Sequence, residues 1–180
     1  MPNKMPLVPP RRKPIRLHPA RYVGQNSYFI TFCCDRRHPI FSDARVATWF
    51  VRSLRATSAA FHFAVHAYCL MPDHFHALVY GLADSSDLLA FVKHLKQTTG
   101  HDYYARRHHT LWQRRFFDHI LRPTDNAAAI AGYIWMNPVR KGLCKDTRDY
   151  PYSGSFTLDW KNEVAPLEEW VPHWKPKRPA

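Results

Sequence analysis

The sequence is short of acidic residues. Its 180 residues hold 14 Asp and Glu against 26 Lys and Arg, a formal charge of +12, and no acidic residue precedes Asp35. That balance points to a polyanionic partner, usually nucleic acid. No uninterrupted apolar run approaches the ~20 residues of a membrane helix, and the N-terminus lacks the apolar core of a signal peptide. Neither a membrane association nor export is expected. The cysteines follow no zinc or disulfide-framework spacing: Cys33 and Cys34 are adjacent, while Cys69 and Cys144 stand alone. A reducing cytoplasm is the simplest home for such a chain. There is no G-x-x-x-x-G-K-S/T phosphate loop. No Asp/Glu cluster suited to a two-metal nuclease is evident, and no internal repeat.

What is present can build a core. The chain is 46% hydrophobic and 14% aromatic, and its length suits one compact domain with short extensions. Residues 1–21 form a basic, proline-rich arm carrying Arg11-Arg12-Lys13, expected to be extended or disordered. Residues 22–158 form the folded domain, and 159–180 a tail punctuated by Pro166, Pro172, Pro176 and Pro179. Trp160, Trp170 and Trp174 imply that this tail packs onto something.

Within the domain, strand and helix patterns alternate. Residues 27–34 (SYFITFCC) are aromatic and β-branched and predict a buried strand. Ser42 can cap a helix over 43 to about 59. Residues 61–70 and 74–81 predict a hairpin about the turn Met71-Pro72-Asp73. Ser86 can cap a second helix running to about Tyr104, with Leu88, Phe91, Val92 and Leu95 as its buried stripe. A short strand over 116–121 follows, then a helix over 125 to about 136, capped by Thr124 and ended by Pro138. The order βαββαβα predicts an α+β fold: a ferredoxin-like antiparallel sheet with helices packed on it.

Three clusters carry chemistry. In His74-Phe75-His76 the alternation of a strand turns both imidazoles to one face and Phe75 to the other, so the pair can chelate one divalent cation. Taken alone, an H-x-H more often means two solvent-facing histidines on a half-exposed sheet. Tyr133 and Asn137 are spaced i, i+4 and share a helix face, with Asn137 where the helix must end. Taken alone, Tyr133 reads as an amphipathic core residue, although Ile130, Ala131 and Ile134 already supply a buried stripe. In the third cluster, Arg106, Arg107, Arg114 and Arg115 interleave with Trp112, Phe116 and Phe117, which suits phosphate contact with base stacking. Lys93 and Lys96 lie off the stripe of the second helix, and Arg140 and Lys141 add charge near Tyr133. Together, two imidazoles, an amide oxygen and a tyrosine hydroxyl make a metal-assisted phosphoryl-transfer site. His101, Tyr103 and Tyr104 could also approach it.

These stretches resemble the single-tyrosine HUH transposases, in their REP-associated tyrosine transposase branch. The likeness rests on Tyr28-Phe29-Ile30-Thr31-Phe32, Tyr68 to His76 with M-P-D-H-F-H, Leu111 to His119 with W-Q-R-R-F-F, and Tyr133-Ile134-Trp135-Met136-Asn137-Pro138-Val139-Arg140. They occur in the family's order and cover roughly residues 22–155. The resemblance implies an HUH-type endonuclease fold and a metal-dependent strand transferase acting on single-stranded DNA beside a hairpin, such as a REP-like palindrome. It assigns His74, His76 and Asn137 to Mg²⁺ or Mn²⁺, and Tyr133 to the nucleophile that forms a 5′-phosphotyrosine. It implies a monomer or homodimer and a prokaryotic, nucleoid-associated setting. Lys93, Lys96, Arg106, Arg107, Trp112, Arg114, Arg115, Arg140 and Lys141 are the expected DNA contacts. Charge and aromatics fit a non-catalytic nucleic-acid-binding domain equally well. A water-activating hydrolase fits less well, because two histidines and an amide offer no evident base.

Overall fold

A computed structural model describes residues 17–163. Most of the N-terminal arm, together with Trp170 and Trp174, lies outside the described residues. The main elements follow in the expected order: β1 (Ser27–Cys34), α1 (Ala44–Ala60), β2 (Phe63–Met71), β3 (His74–Gly81), α2 (Leu88–Arg107), β4 (Trp112–Ile120) and α3 (Ala127–Trp135). Within the described residues, α4 (Asn137–Arg140), the two-residue strand β5 (Ser153–Gly154) and α5 (Trp160–Glu163) follow. The sheet order is β4-β1-β3-β2-β5, with every named pair antiparallel. Its first four strands have the expected ferredoxin-like arrangement, and β5 adds to the β2 edge.

The alternation of each strand divides the core in two. Tyr28, Ile30 and Phe32 of β1 and Phe75, Ala77 and Val79 of β3 join Phe50 and Leu54 of α1 and Phe91 and Leu95 of α2. On the other face, Phe29, Leu78, Ala67, Cys69 and Met71 meet Ile130, Tyr133, Ile134 and Trp135 of α3. Helices thus cover both faces, two on one and α3 on the other. Trp160 stacks on Trp135 with ring centroids 5.0 Å apart, so the segment beyond residue 158 begins packed against the α3 side.

The helix caps differ from expectation by a residue or two. Asp43, not Ser42, caps α1 by accepting from Arg45 N at 2.9 Å. Asp87, not Ser86, caps α2 through Ala90 N at 3.0 Å, and Asn126, not Thr124, caps α3 through Ala129 N at 3.0 Å. Each time an Asx oxygen stands one or two residues beyond the hydroxyl and reaches the orphan amide. The Ser86 hydroxyl is used elsewhere: it donates to His62 O at 2.9 Å and accepts from Ala83 N at 3.1 Å.

Strand β4 begins at Trp112, four residues earlier than the pattern suggested. Its pairing with β1 slips between Phe32↔Phe116 and Cys34↔Trp112, so Gln113, Arg114 and Arg115 form a bulge. Lys96 donates its ammonium to Gln113 O at 2.8 Å and Arg114 O at 3.3 Å, satisfying carbonyls that the bulge takes out of the ladder. Among the described residues, no helix is long and apolar enough to cross a membrane.

Candidate active site

The hairpin turn places the two histidines. Phe41 N donates to Pro72 O and Cys34 N to Asp73 O, each at 2.9 Å, so backbone from two sides holds the turn before His74. His74 pairs with Cys33 and Met71 across the sheet, and His76 with Thr31 and Cys69. Both imidazoles face the α3 side, with ring centroids 4.6 Å apart. They are 8% and 4% exposed, so the solvent-facing alternative does not hold.

Each ring is held at Nδ1. Asp73 Oδ1 lies 2.5 Å from His74 Nδ1, and a carboxylate oxygen can only accept there, which fixes the proton on Nδ1. Thr31 Oγ1 lies 2.7 Å from His76 Nδ1. A histidine oriented through one ring nitrogen by a carboxylate or hydroxyl presents the other, Nε2, as the ligating atom.

Tyr133 lies in the last turn of α3, and Asn137 opens α4 just after it. Pro138 has no amide proton, so the Ile134 carbonyl four residues earlier loses its helical partner. Asn137 Nδ2 replaces it, donating to Ile134 O and Tyr133 O at 3.1 Å each. The amide nitrogen is thereby committed to the helix end, and Oδ1 is the amide's atom for an outside partner. The pairing of Asn with Pro therefore has a structural cause that is compatible with ligation. Arg140 donates to Tyr133 O at 2.6 Å, and its Cζ stands 4.2 Å from the Tyr133 ring centroid.

Phe29 joins the two halves. Its ring lies 5.6 Å from His76 and 6.4 Å from Tyr133, centroid to centroid. Phe29 thus links His76, which stands beside His74, to Tyr133, whose carbonyl oxygen accepts from Asn137. Among the described residues, no three His, Cys, Asp or Glu side chains cluster so as to hold a metal ion. A cation at this place would need the Asn137 oxygen beside the two imidazoles, a donor set that suits Mn²⁺ at least as well as Mg²⁺. His101, Tyr103 and Tyr104 belong to α2, on the opposite face, which removes them from this site.

Residues 22–137, more than half of the chain, match the family described as "Transposase IS200 like". The chain belongs to this family. It is 32% identical over 156 residues to a Haemophilus influenzae protein provisionally named a REP-associated tyrosine transposase, covering 79% of this chain and 86% of that one. It is 27% identical over 110 residues to the REP-associated tyrosine transposase of Escherichia coli, covering 57% of this chain and 65% of that protein. Its fold is similar to a solved REP-associated tyrosine transposase bound to a REP hairpin, with a TM-score of 0.70 at 21% identity over 92% of this chain and 95% of that one. These relatives put the IS200-like chain in the REP-associated branch.

The expected DNA contacts of this chain do not form one surface. Arg140 stands at the site, and Lys141 follows it at the exposed end of α4. Lys93, Lys96, Arg114 and Phe116 line a cleft of about 480 Å³ between α2 and β4, on the side of the sheet away from the histidines. Arg106 and Arg107 end α2, where Arg107 pairs with Asp43 at 2.9 Å and both complement the helix dipole. Arg115 is exposed in the bulge.

Trp112 needs correction. It is 7% exposed, packs against Phe32, Phe41 and Phe50, and donates from Nε1 to Thr99 Oγ1 at 2.9 Å. It is a core residue of the face covered by α1 and α2, and it also borders the cleft between α2 and β4. Sequence reasoning also missed Thr31 and Asp73 as partners of the histidines. Asp73 was legible as the acid directly before His74, whereas Thr31 reaches His76 only through cross-strand register.

Proposed function

We propose that this chain is a metal-dependent single-stranded DNA endonuclease and strand transferase, acting beside a hairpin through a 5′-phosphotyrosine intermediate. The observation that carries this reading is the Phe29 ring in contact with both His76 and Tyr133, which sets a nucleophile-bearing helix over an oriented histidine pair. His74, His76 and Asn137 would hold Mg²⁺ or Mn²⁺. A cation there supplies charge for the scissile phosphate and the departing oxygen.

The rest is the work of the chain. Asp73 keeps the His74 imidazole in the Nδ1–H form, and Thr31 orients His76 through its Nδ1. Asn137 would offer its oxygen to the cation while its nitrogen holds the helix end. The Tyr133 hydroxyl attacks phosphorus: an O–P bond forms to tyrosine, the P–O3′ bond breaks, and a 3′-hydroxyl leaves. The new phosphodiester conserves the bond energy, so rejoining needs no nucleotide. Arg140, stacked on the Tyr133 ring, brings positive charge to where the phosphate arrives. The polyanionic partner suggested by the +12 charge is then single-stranded DNA with a REP-like hairpin.

The test is covalent capture. Protein, Mn²⁺ and a hairpin-bearing single strand should give an adduct that survives denaturant, and Tyr133→Phe should give none. An adduct that persists in Tyr133→Phe removes Tyr133 as nucleophile. Metal-independent binding with no adduct in the wild type returns the protein to the non-catalytic binding class.

A further inference from the structure

We propose that Arg37 is a positioning residue of this site, acting through Asp73 to fix the His74 imidazole. The inference rests on the metal-binding reading above. Arg37 Nε lies 3.1 Å from Asp73 Oδ2, while Asp73 Oδ1 holds His74 Nδ1 at 2.5 Å. Both carboxylate oxygens are therefore engaged, one by the guanidinium and one by the ring. Arg37 Nη1 also donates to Cys33 Sγ at 3.0 Å, and Cys33 is the β1 residue directly opposite His74. The guanidinium thus ties the Asp73 carboxylate to the strand beside His74, and Asp73 cannot swing away without breaking both contacts.

The backbone gives independent support. Arg36 and Arg37 are consecutive non-glycine residues in the left-handed region, with φ of 47° and 60°. Such residues are strained and persist where the surroundings impose them. The Arg37 side chain is 50% exposed, and an ion pair at that exposure contributes little to stability. Stability therefore does not account for the conformation. What the left-handed turn achieves is to bring the guanidinium fork back onto Asp73.

The experiment measures Mn²⁺ affinity of the full chain without DNA, by calorimetry or by the electron-spin signal of free Mn²⁺, beside thermal midpoints. Arg37→Gly accepts the positive φ without strain, so the midpoint should hold or rise while Mn²⁺ affinity falls by a part of the roughly 10–100-fold that losing an outer-shell partner costs. Asp73→Asn should show that full loss. Arg36→Gly relieves the same kind of strain next door without touching Asp73, and should leave Mn²⁺ affinity at the wild-type value. Wild-type affinity in Arg37→Gly overturns the proposal. Equal losses in Arg36→Gly and Arg37→Gly also overturn it, because the effect then belongs to the turn and not to the guanidinium. A wild type that binds no Mn²⁺ overturns the metal reading, and this inference with it.

Discussion

The Arg140 guanidinium stands over the Tyr133 ring, 4.2 Å from its centroid, and also donates to the Tyr133 carbonyl oxygen. One side chain thereby fixes both the ring and the helix end that carries the proposed nucleophile. A cation over an aromatic face is worth about 0.5–2 kcal/mol. If that orientation is the attacking one, Arg140→Ala should slow single-turnover adduct formation by about 2–30-fold. A change confined to DNA affinity, with the adduct rate intact, would make Arg140 a phosphate contact and nothing more.

Trp112 sits among Phe32, Phe41 and Phe50 with its indole N–H bonded to Thr99. Trp112→Ala should cost about 3–5 kcal/mol of stability, read from urea denaturation. The fraction that remains folded should bind DNA as the wild type does. Loss of DNA affinity without loss of stability would restore Trp112 as a base-stacking residue.

Gly81 illustrates a close approach that no side chain tolerates. A Cβ there would stand 2.3 Å from Gly24 O and 2.9 Å from Ser86 Cβ, and both obstacles are near the backbone. Gly81→Ala should therefore destabilise the end of β3 by about 1–3 kcal/mol, the usual cost of overpacking. An unchanged denaturation midpoint would show that the loop at Gly24 gives way freely.

The sequence was most readable where one period decides the answer. Strand alternation alone turned His74 and His76 to one face, and the Asn-Pro step alone located the end of α3. It was least readable where a neighbour decides. Thr31 meets His76 through register across two strands, and Arg37 reaches Asp73 through a left-handed turn that Arg36-Arg37 does not announce. Trp112 misled for a related reason. The arginines around it are exposed in a bulge, so the local charge pattern described Arg114 and Arg115 and not the indole between them and α2. Likewise, Lys96 looked like a surface cation, and its ammonium instead binds the carbonyls of that bulge.

Burial pushes the Cys34 and Cys69 thiols up to about 12 from 9.0. The folded chain then keeps protons that the unfolded chain gives up, so this contribution to stability is fully present below about pH 9 and is lost as pH rises through about 12. Denaturation midpoints should fall over that alkaline window. In native protein at neutral pH, a thiol reagent should label the partly exposed Cys33 and Cys144 first, and reach Cys34 and Cys69 only on unfolding. Rapid labelling of all four would contradict the packing of both sheet faces.

The cleft between α2 and β4 lies across the sheet from the histidines, so charge there and charge at the site can be tested apart. Lys93 and Arg114 line it, and the residues around it include no acid. If a single strand tracks this cleft, each phosphate contact adds about 0.7 to the slope of log affinity against log salt. Replacing both Lys93 and Arg114 by Gln should lower that slope by roughly 1.4. The adduct rate at saturating DNA should stay unchanged, because neither residue stands at Tyr133. An unchanged slope would leave the cleft without a role in binding, and the strand would then run over the histidine face alone. A reduced adduct rate at saturation would instead mean that DNA held across the sheet governs how the scissile phosphate meets Tyr133.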